Sequence, residues 1–331
     1  MDARKLGRNG PLLSPVGLGL MGMSDFYGPA DEAESIATIH AALEAGITLF
    51  DTGDFYGSGH NELLLRKALE GRKPDRAFIQ VKFGALRDPS GGFIGFDARP
   101  AAVKNALAYT LKRLGTDHVD LYQPARLDPA VPIEETVGAI ADLVRAGYVR
   151  YVGLSEVGAG TLRRAHAVHP ITGLQIEYSL MSRSLEAEIL PAARELGVGI
   201  TAYGVLSRGL LGKTSAQSLS ARDFRTRSPR WQGENLRSNL SLVEALRGLA
   251  EEKRATTAQL AIAWVLSRGA DILPLVGART RARLRESLGA LDLSLAKDDL
   301  ARIEQAVPAD KVAGARYDAG SMAMLDSERH A

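Results

Sequence analysis

Asp51, Tyr56 and Lys82 carry the chemistry that this chain of 331 residues offers most directly. The stretch "FDTGDFYGSGHNE" sets an aspartate and a tyrosine five positions apart, and "VKFG" brings a lysine from the next apolar run. A phenol with an ordinary pKa of about 10 is a poor proton source near neutrality. An ammonium beside it favours phenolate and is expected to lower that pKa. A carboxylate paired with the ammonium keeps it charged and in place. Together the three read as a proton donor suited to a carbonyl oxygen. Singly, each has an ordinary structural use: a snorkelling lysine, a half-buried tyrosine, a surface ion pair. Their convergence is what favours chemistry.

The elements that must position them alternate along the whole chain. "VGLGLM" precedes the helical pattern "DEAESIATIHAALEAG", with Asp31 as N-cap and Gly46 as its stop. "TLFDT" precedes "NELLLRKALEG", "AFIQVKFG" precedes "RPAAVKNALAYTLKRLG", and "VDLYQ" leads to "IEETVGAIADLVRAG". "VRYVGLS", "ITGLQIEYS", "VGITAYG" and "DILPLVG" open four further units, each followed by helical sequence. Eight such units without a linker predict one (β/α)8 TIM barrel over residues 1–331 rather than an open doubly wound sheet. "GLGLMG" lacks the GxGxxG spacing of the open-sheet dinucleotide fold. An N-terminal β-hairpin with Asn9-Gly10 as its turn is expected to close the barrel bottom, and "KDDLARIEQAV" to form an extra C-terminal helix. Residues 207–235 form a long βα loop and candidate lid, and 309–331 a C-terminal tail.

In such a barrel the chemistry sits where strands end. Those positions hold Asp51 and Tyr56, then Lys82, Ala125, Ser155, Gln175 and Tyr203. The balance of 41 Lys and Arg against 39 Asp and Glu argues against a nucleic-acid partner. The absence of cysteine excludes disulfides and thiolate chemistry, and six histidines without HxxxH or HxH spacing predict no metal site. Neither a signal core nor an apolar run of 18 residues or more occurs, so no membrane and a cytoplasmic location are expected.

With "VGLGLMGMSDFYG", "FDTGDFYGSGHNE", "GLSE", "QIEYS" and "PLVGARTRARLRES", the chain resembles the aldo-keto reductases over nearly its whole length, in particular their microbial branch. The resemblance implies NADPH bound across the C-terminal face of the barrel and hydride transfer to an aldehyde or ketone. Tyr56 would be the acid, supported by Lys82 and Asp51. Ser155 and Gln175 match residues that hold the nicotinamide carboxamide, and Tyr203 matches the aromatic that stacks on its ring. Gly19, Met21, Leu206, Arg208 and Gly277 fall at further cofactor positions, and Glu286 and Ser287 at adenine and ribose contacts. Glu156 and Ser287 stand where asparagine is common, and Gly204-Val205 replaces the usual Ser-Pro. The turn at Gly277 opens a helix whose N-terminal dipole favours phosphate. Arg279 and Arg283, four apart on one face, favour the 2′-phosphate of NADPH over NADH, whereas Arg281 and Arg285 read as solvated charge.

The family's loop after strand 4 carries a histidine before Arg-x-Asp-Pro; here "ARLDP" puts Ala125 there. Losing one such hydrogen-bond donor costs on the order of 10²–10³ in rate when nothing replaces it. Three explanations stand open. Tyr56 works alone or with help from Gln123, Arg126, His60 or water; the wider pocket takes an unusual substrate; or the protein binds NADPH without turnover, as a redox sensor or scaffold. Retention of Asp51, Tyr56 and Lys82 favours an enzyme. Phe26, Tyr27, Phe55 and Phe83 are expected to wall the mouth beside Ala125 and Arg126, with Trp231 as lid or rim packing. That wall suits an aromatic or medium-sized apolar carbonyl compound, pyridoxal among the compounds to try. A barrel aldolase would also use Lys82, but without need of the Asp-Tyr pair or the arginine turn. Oligomeric state is not legible.

Overall fold

The computed structural model describes residues 1–72, 77–212, 214, 219–220 and 223–329. Residues 213, 215–218 and 221–222 of the 207–235 segment lie outside these, as do His330 and the last residue of the tail.

An antiparallel hairpin, β1 (Arg4–Lys5) and β2 (Leu12–Leu13), opens the chain. Asn9 and Gly10 fall inside a connection closed by the Leu6 N–H on the Pro11 carbonyl at 3.0 Å. Then come β3 (Gly17–Gly19), α1 (Glu32–Glu44), β4 (Leu49–Gly53), α2 (His60–Leu69) and β5 (Phe78–Phe83). A second small hairpin, β6 (Ala85–Arg87) and β7 (Phe93–Phe96), interrupts the path to α3 (Pro100–Leu114). The series continues with β8 (Val119–Pro124), α4 (Ile133–Arg145), β9 (Val149–Ser155), α5 (Ala159–Val168), β10 (Ile171–Glu177), α6 (Ile189–Leu196) and β11 (Gly199–Tyr203). Two helices, α7 (Gly233–Glu252) and α8 (Thr257–Ser267), precede β12 (Ile272–Gly277) and α9 (Arg281–Leu288). The expected extra helix is α10 (Lys297–Ala306), and a short α11 (Ala319–Ala323) lies in the tail.

Strands β3, β4, β5, β8, β9, β10, β11 and β12 pair in parallel and close on β3, which makes the TIM barrel. The local signals act where expected. Asp31 caps α1 by accepting from the Glu34 N–H at 2.6 Å, and Gly46 leaves the helix at a φ of 85°. Thr256 and Gln259 form a reciprocal capping box on α8.

The period-2 alternation of each strand sorts its residues into two layers. Outward residues such as Phe50, Phe83 and Tyr122 pack under the helices in the main core. Inward residues change character along the barrel axis. At the N-terminal end Leu49, Phe78, Leu121, Leu273 and Leu275 form an apolar plug with Leu6 and Leu13 of the hairpin. A side chain at Gly199 would strike the Leu6 backbone, so the close approach of the hairpin needs glycine there. At the C-terminal end the inward positions are Asp51, Gln80, Lys82, Gln123, Gln175 and Thr201, all at most 5 % exposed. Parallel register sets Asp51 opposite Gln80, Lys82 opposite Gln123 and Gln175 opposite both Ser155 and Thr201. The sheet therefore builds a polar floor one layer above the plug. Among the described residues no helix is long and apolar enough to cross a membrane.

Candidate active site

The floor is organised around Asp51. Lys82 Nζ donates to both carboxylate oxygens at 2.6 and 2.7 Å, with Gln175 Nε2 at 2.7 Å and Gln80 Nε2 at 3.1 Å on Oδ1. Burial lowers the pKa of the Lys82 ammonium, against the pull of Asp51. Tyr56 lies directly above: Lys82 Nζ is 5.1 Å from its ring centroid, and the residue is 5 % exposed. The structure reverses one expectation here. The Tyr56 phenol is pushed well above its ordinary pKa, first by burial and then by Asp51, with Arg126 opposing. Asp51 is close enough to neutralise Lys82, so the pair as a whole does not favour phenolate. The phenol is held protonated, in the form an acid needs.

Aromatic rings surround that phenol. Phe55 stands 4.7 Å and Phe26 6.1 Å from Tyr56 between centroids, both edge-on. Phe224 packs against Phe26 and Tyr27 at 6.0 and 5.1 Å. Phe26 holds a left-handed φ of 68°, and its carbonyl accepts from the Phe224 N–H at 3.0 Å. Arg87 of β6 lies 5.0 Å from the Phe26 ring and pairs with Asp25 at 2.7 Å. Phe83 is not part of this wall. Its neighbour Lys82 points inward, so Phe83 points outward and stacks on Tyr122 at 4.3 Å. Trp231 is 6 % exposed in the main core with Arg225 over its ring, which makes it rim packing rather than a lid. His60 bonds Ser24 and faces Glu32 at 3.8 Å on the surface. Ala125 directly follows β8 at 3 % exposure, and beside it Arg126 reaches Ser155 Oγ and Tyr317 Oη, both at 3.4 Å. Gln123 is fully buried, and among the described residues neither polar atom of its side chain has a hydrogen-bond partner.

The expected nicotinamide positions, with Glu156 and Arg208, are joined by Glu177, Arg316, Tyr317 and Ser327, which the sequence reading passed over. Tyr203 Oη donates to Glu156 at 2.7 Å and meets Tyr317 Oη at 2.8 Å. Glu156, at a left-handed φ of 54°, is fixed by Arg316 at 2.6 Å, Ser327 Oγ at 2.5 Å and the Glu177 N–H at 2.9 Å. Burial alone would raise its carboxyl; Arg316 and these hydrogen bonds outweigh burial and hold it well below the usual range. Arg208 pairs with Glu177 at 2.8 Å, bonds the Arg316 carbonyl and lies 4.0 Å over the Tyr317 ring. The tail is thus clamped to the mouth by Arg316 and Tyr317. Sequence carried a signal for the receiving side, because Glu177 is a carboxylate at the end of a wholly buried strand. Nothing local marked the tail partners or Phe224.

At the arginine turn Thr280 caps α9 through the Arg283 N–H at 3.3 Å. Arg279 donates to the Tyr27 and Pro29 carbonyls at 3.0 and 3.2 Å, and Arg283 pairs with Glu286 at 3.0 Å. Arg281, expected as solvated charge, bridges to Glu34 at 2.8 Å. Gly277 faces open space, Gly19 has room for a Cβ, and Ser287 is buried at 4 % exposure. Met21 begins a short 3-10 turn after β3, and the Leu206 carbonyl closes the turn to Gly209 at 2.9 Å.

Residues 15–308 match the model of the aldo/keto reductase family. A soybean (Glycine max) protein described as probable aldo-keto reductase 1 is 44 % identical over 317 residues, covering 95 % of this chain and 91 % of that one. Among solved structures, the glycerol dehydrogenase AKR11B4 from Gluconobacter oxydans superposes with a TM-score of 0.83 at 28 % identity, over 92 % of this chain and 94 % of that one. The aldo-keto reductase AKR11C1 from Bacillus halodurans gives 0.77 at 26 % identity, over 93 % and 97 %. On the match of sequence, barrel and length together, the chain belongs to the aldo/keto reductase family.

Proposed function

We propose that this protein reduces an aldehyde or ketone to the alcohol with NADPH, and that Tyr56 delivers the proton. The observation that carries the reading is the buried Asp51–Lys82 pair beneath a desolvated, protonated Tyr56 in an aromatic-walled mouth. The donor set suits a phosphorylated nicotinamide cofactor. Among the described residues Arg279 has only backbone carbonyls as partners, so its charge is left for a phosphate to complete. Arg283 lies beside it at the start of α9, where the helix dipole adds to the attraction. Ser155, Gln175 and Tyr203 would hold the nicotinamide end. When bound, the reduced nicotinamide supplies the hydrogen and electron pair taken up by the carbonyl carbon.

The chain's own residues do the rest. As negative charge builds on the carbonyl oxygen, the Tyr56 Oη–H bond breaks and its proton passes to that oxygen. Lys82 stands by the phenolate that remains until solvent returns a proton, and Asp51 keeps the ammonium fixed. Phe26, Phe55 and Phe224 keep water away from the reacting oxygen. Tyr56→Phe removes only the hydroxyl. It is expected to lower carbonyl-dependent NADPH oxidation by about 10²–10⁴ while NADPH still binds; unchanged oxidation would refute the role. Ala125 and the tail contact on Tyr203 favour a second reading, a cofactor-binding sensor or scaffold. Tight NADPH binding without oxidation by any of a broad carbonyl panel would select it.

A further inference from the structure

The cations round the mouth are matched to carboxylates with one exception. Lys82 has Asp51, Arg208 has Glu177, Arg316 has Glu156, Arg230 lies 3.8 Å from Glu177, Arg225 has Asp223 and Arg87 has Asp25. Arg126 has none among the described residues. Its guanidinium bonds its neighbour's carbonyl on Ala125 at 2.6 Å, and otherwise makes only the two 3.4 Å contacts to Ser155 Oγ and Tyr317 Oη. Most of a five-donor group is therefore weakly used.

Its place matters as much as its partners. Arg126 follows Ala125 just beyond β8, where a methyl group stands in place of a larger side chain. Through Ser155 and Tyr317 it borders the expected nicotinamide positions, and its charge also acts on the Tyr56 phenol and on Lys82. The guanidinium stays charged there: burial alone would lower its pKa, but Tyr203, Tyr317 and Glu156 outweigh that. Glu156, whose charge helps support it, is already ion-paired with Arg316 at 2.6 Å, so among the described residues no carboxylate is in direct contact with the Arg126 fork. Arg279 at the cofactor turn has the same signature of a cation with backbone carbonyls alone.

We propose that Arg126 is the specificity-determining residue of the mouth and binds a carboxylate carried by the carbonyl substrate. The substrate class is then a keto acid or a carboxylated aldehyde whose body lies on Phe26, Phe55 and Phe224. The salt link orients the carbonyl toward Tyr56 in place of the missing imidazole. A planar, bidentate carboxylate matches the guanidinium fork better than any single-point donor does. This rests on the reading that Tyr56 reduces a carbonyl.

The test compares 4-carboxybenzaldehyde with 4-methylbenzaldehyde, two substrates of one shape that differ in charge. Wild type is expected to favour the carboxylate in kcat/KM by roughly 10- to 100-fold, the range of one charge-assisted contact. Arg126→Met should abolish that preference, the carboxylate losing far more in kcat/KM than the neutral aldehyde, and Arg126→Lys should restore part of it. A merely structural arginine would lower both substrates together. Calorimetric binding of benzoate against benzamide gives a second readout that needs no turnover. Equal kcat/KM for the two aldehydes, or a ratio that survives Arg126→Met, overturns the proposal. If wild type reduces neither aldehyde, the reductase reading fails by itself. Benzoate binding then decides the anion site: loss in Arg126→Met supports it, and no binding by wild type overturns it.

Discussion

Replacing Arg316 by methionine tests the clamp between tail and mouth. The substitution leaves a side chain of similar length but removes the counter-ion of Glu156 and a 3.4 Å contact to Glu177. Both carboxylates are buried, Glu156 fully. Breaking one partner out of such a pair costs about 3–5 kcal/mol, because a buried charge is left uncompensated. Most other ties of the tail, such as the Arg208, Arg230 and Asn239 bonds to its carbonyls and Asp326 on the Gly158 N–H, reach loops and helices outside the barrel strands, so the cost should appear as local opening of residues 312–329 rather than as loss of the barrel. That energy corresponds to an open population raised by about 10²–10⁴-fold. Hydrogen exchange of the tail peptides, followed by mass spectrometry, reads it directly.

The sign with pH follows from Glu156. Its folded pKa is depressed below the ordinary 4.5. The stabilisation is therefore complete above that value and is lost as pH falls towards the folded pKa. Wild-type tail protection should stay level from neutrality down to about pH 5 and weaken below it. In Arg316→Met the largest opposition to burial is gone, so the carboxyl pKa rises and protection should improve on acidification. Adding Glu156→Gln to Arg316→Met should recover part of the lost protection, since the stranded charge goes with it. Equal tail exchange in wild type and Arg316→Met would refute the reasoning.

Other expectations follow from single contacts. Arg279→Met should weaken NADPH by roughly 10- to 100-fold, the loss of a charged hydrogen bond, and leave NADH nearly unchanged; equal effects on both would refute a 2′-phosphate role. Ala125→His should raise kcat for neutral aldehydes by up to about 10²-fold if the imidazole finds room beside Arg126, and steady-state kinetics will read it. Trp231→Ala should cost about 3–5 kcal/mol in thermal or urea stability, as removal of a buried aromatic does. A changed KM with unchanged stability would instead restore the lid.

The barrel, its order of units, the Asp51–Tyr56–Lys82 set and the caps of α1 were legible in the chain because each depends on local pattern. Strand alternation is a period of two, and a cap is a spacing of three. Parallel register sets Asp51 of β4 level with Gln80 of β5 and one inward step from Lys82, whose long side chain reaches the carboxylate. Phe83 was misread for a related reason. It adjoins Lys82 in sequence, and adjacency on a strand means opposite faces.

Contacts at long range were decided by tertiary structure alone. Glu156 meets Arg316 across 160 positions of chain, and Tyr203 meets Tyr317 across 114. No periodicity links such residues, because an unfolded chain places no constraint on them until the barrel exists. The protonation of Tyr56 belongs to the same class. Sequence supplied an ammonium that should lower its pKa, but burial depth and the closeness of Asp51 to Lys82 set the balance the other way. Residue types on their strands settle which groups can react; the desolvation and distances that only a closed barrel creates settle which charges survive among them.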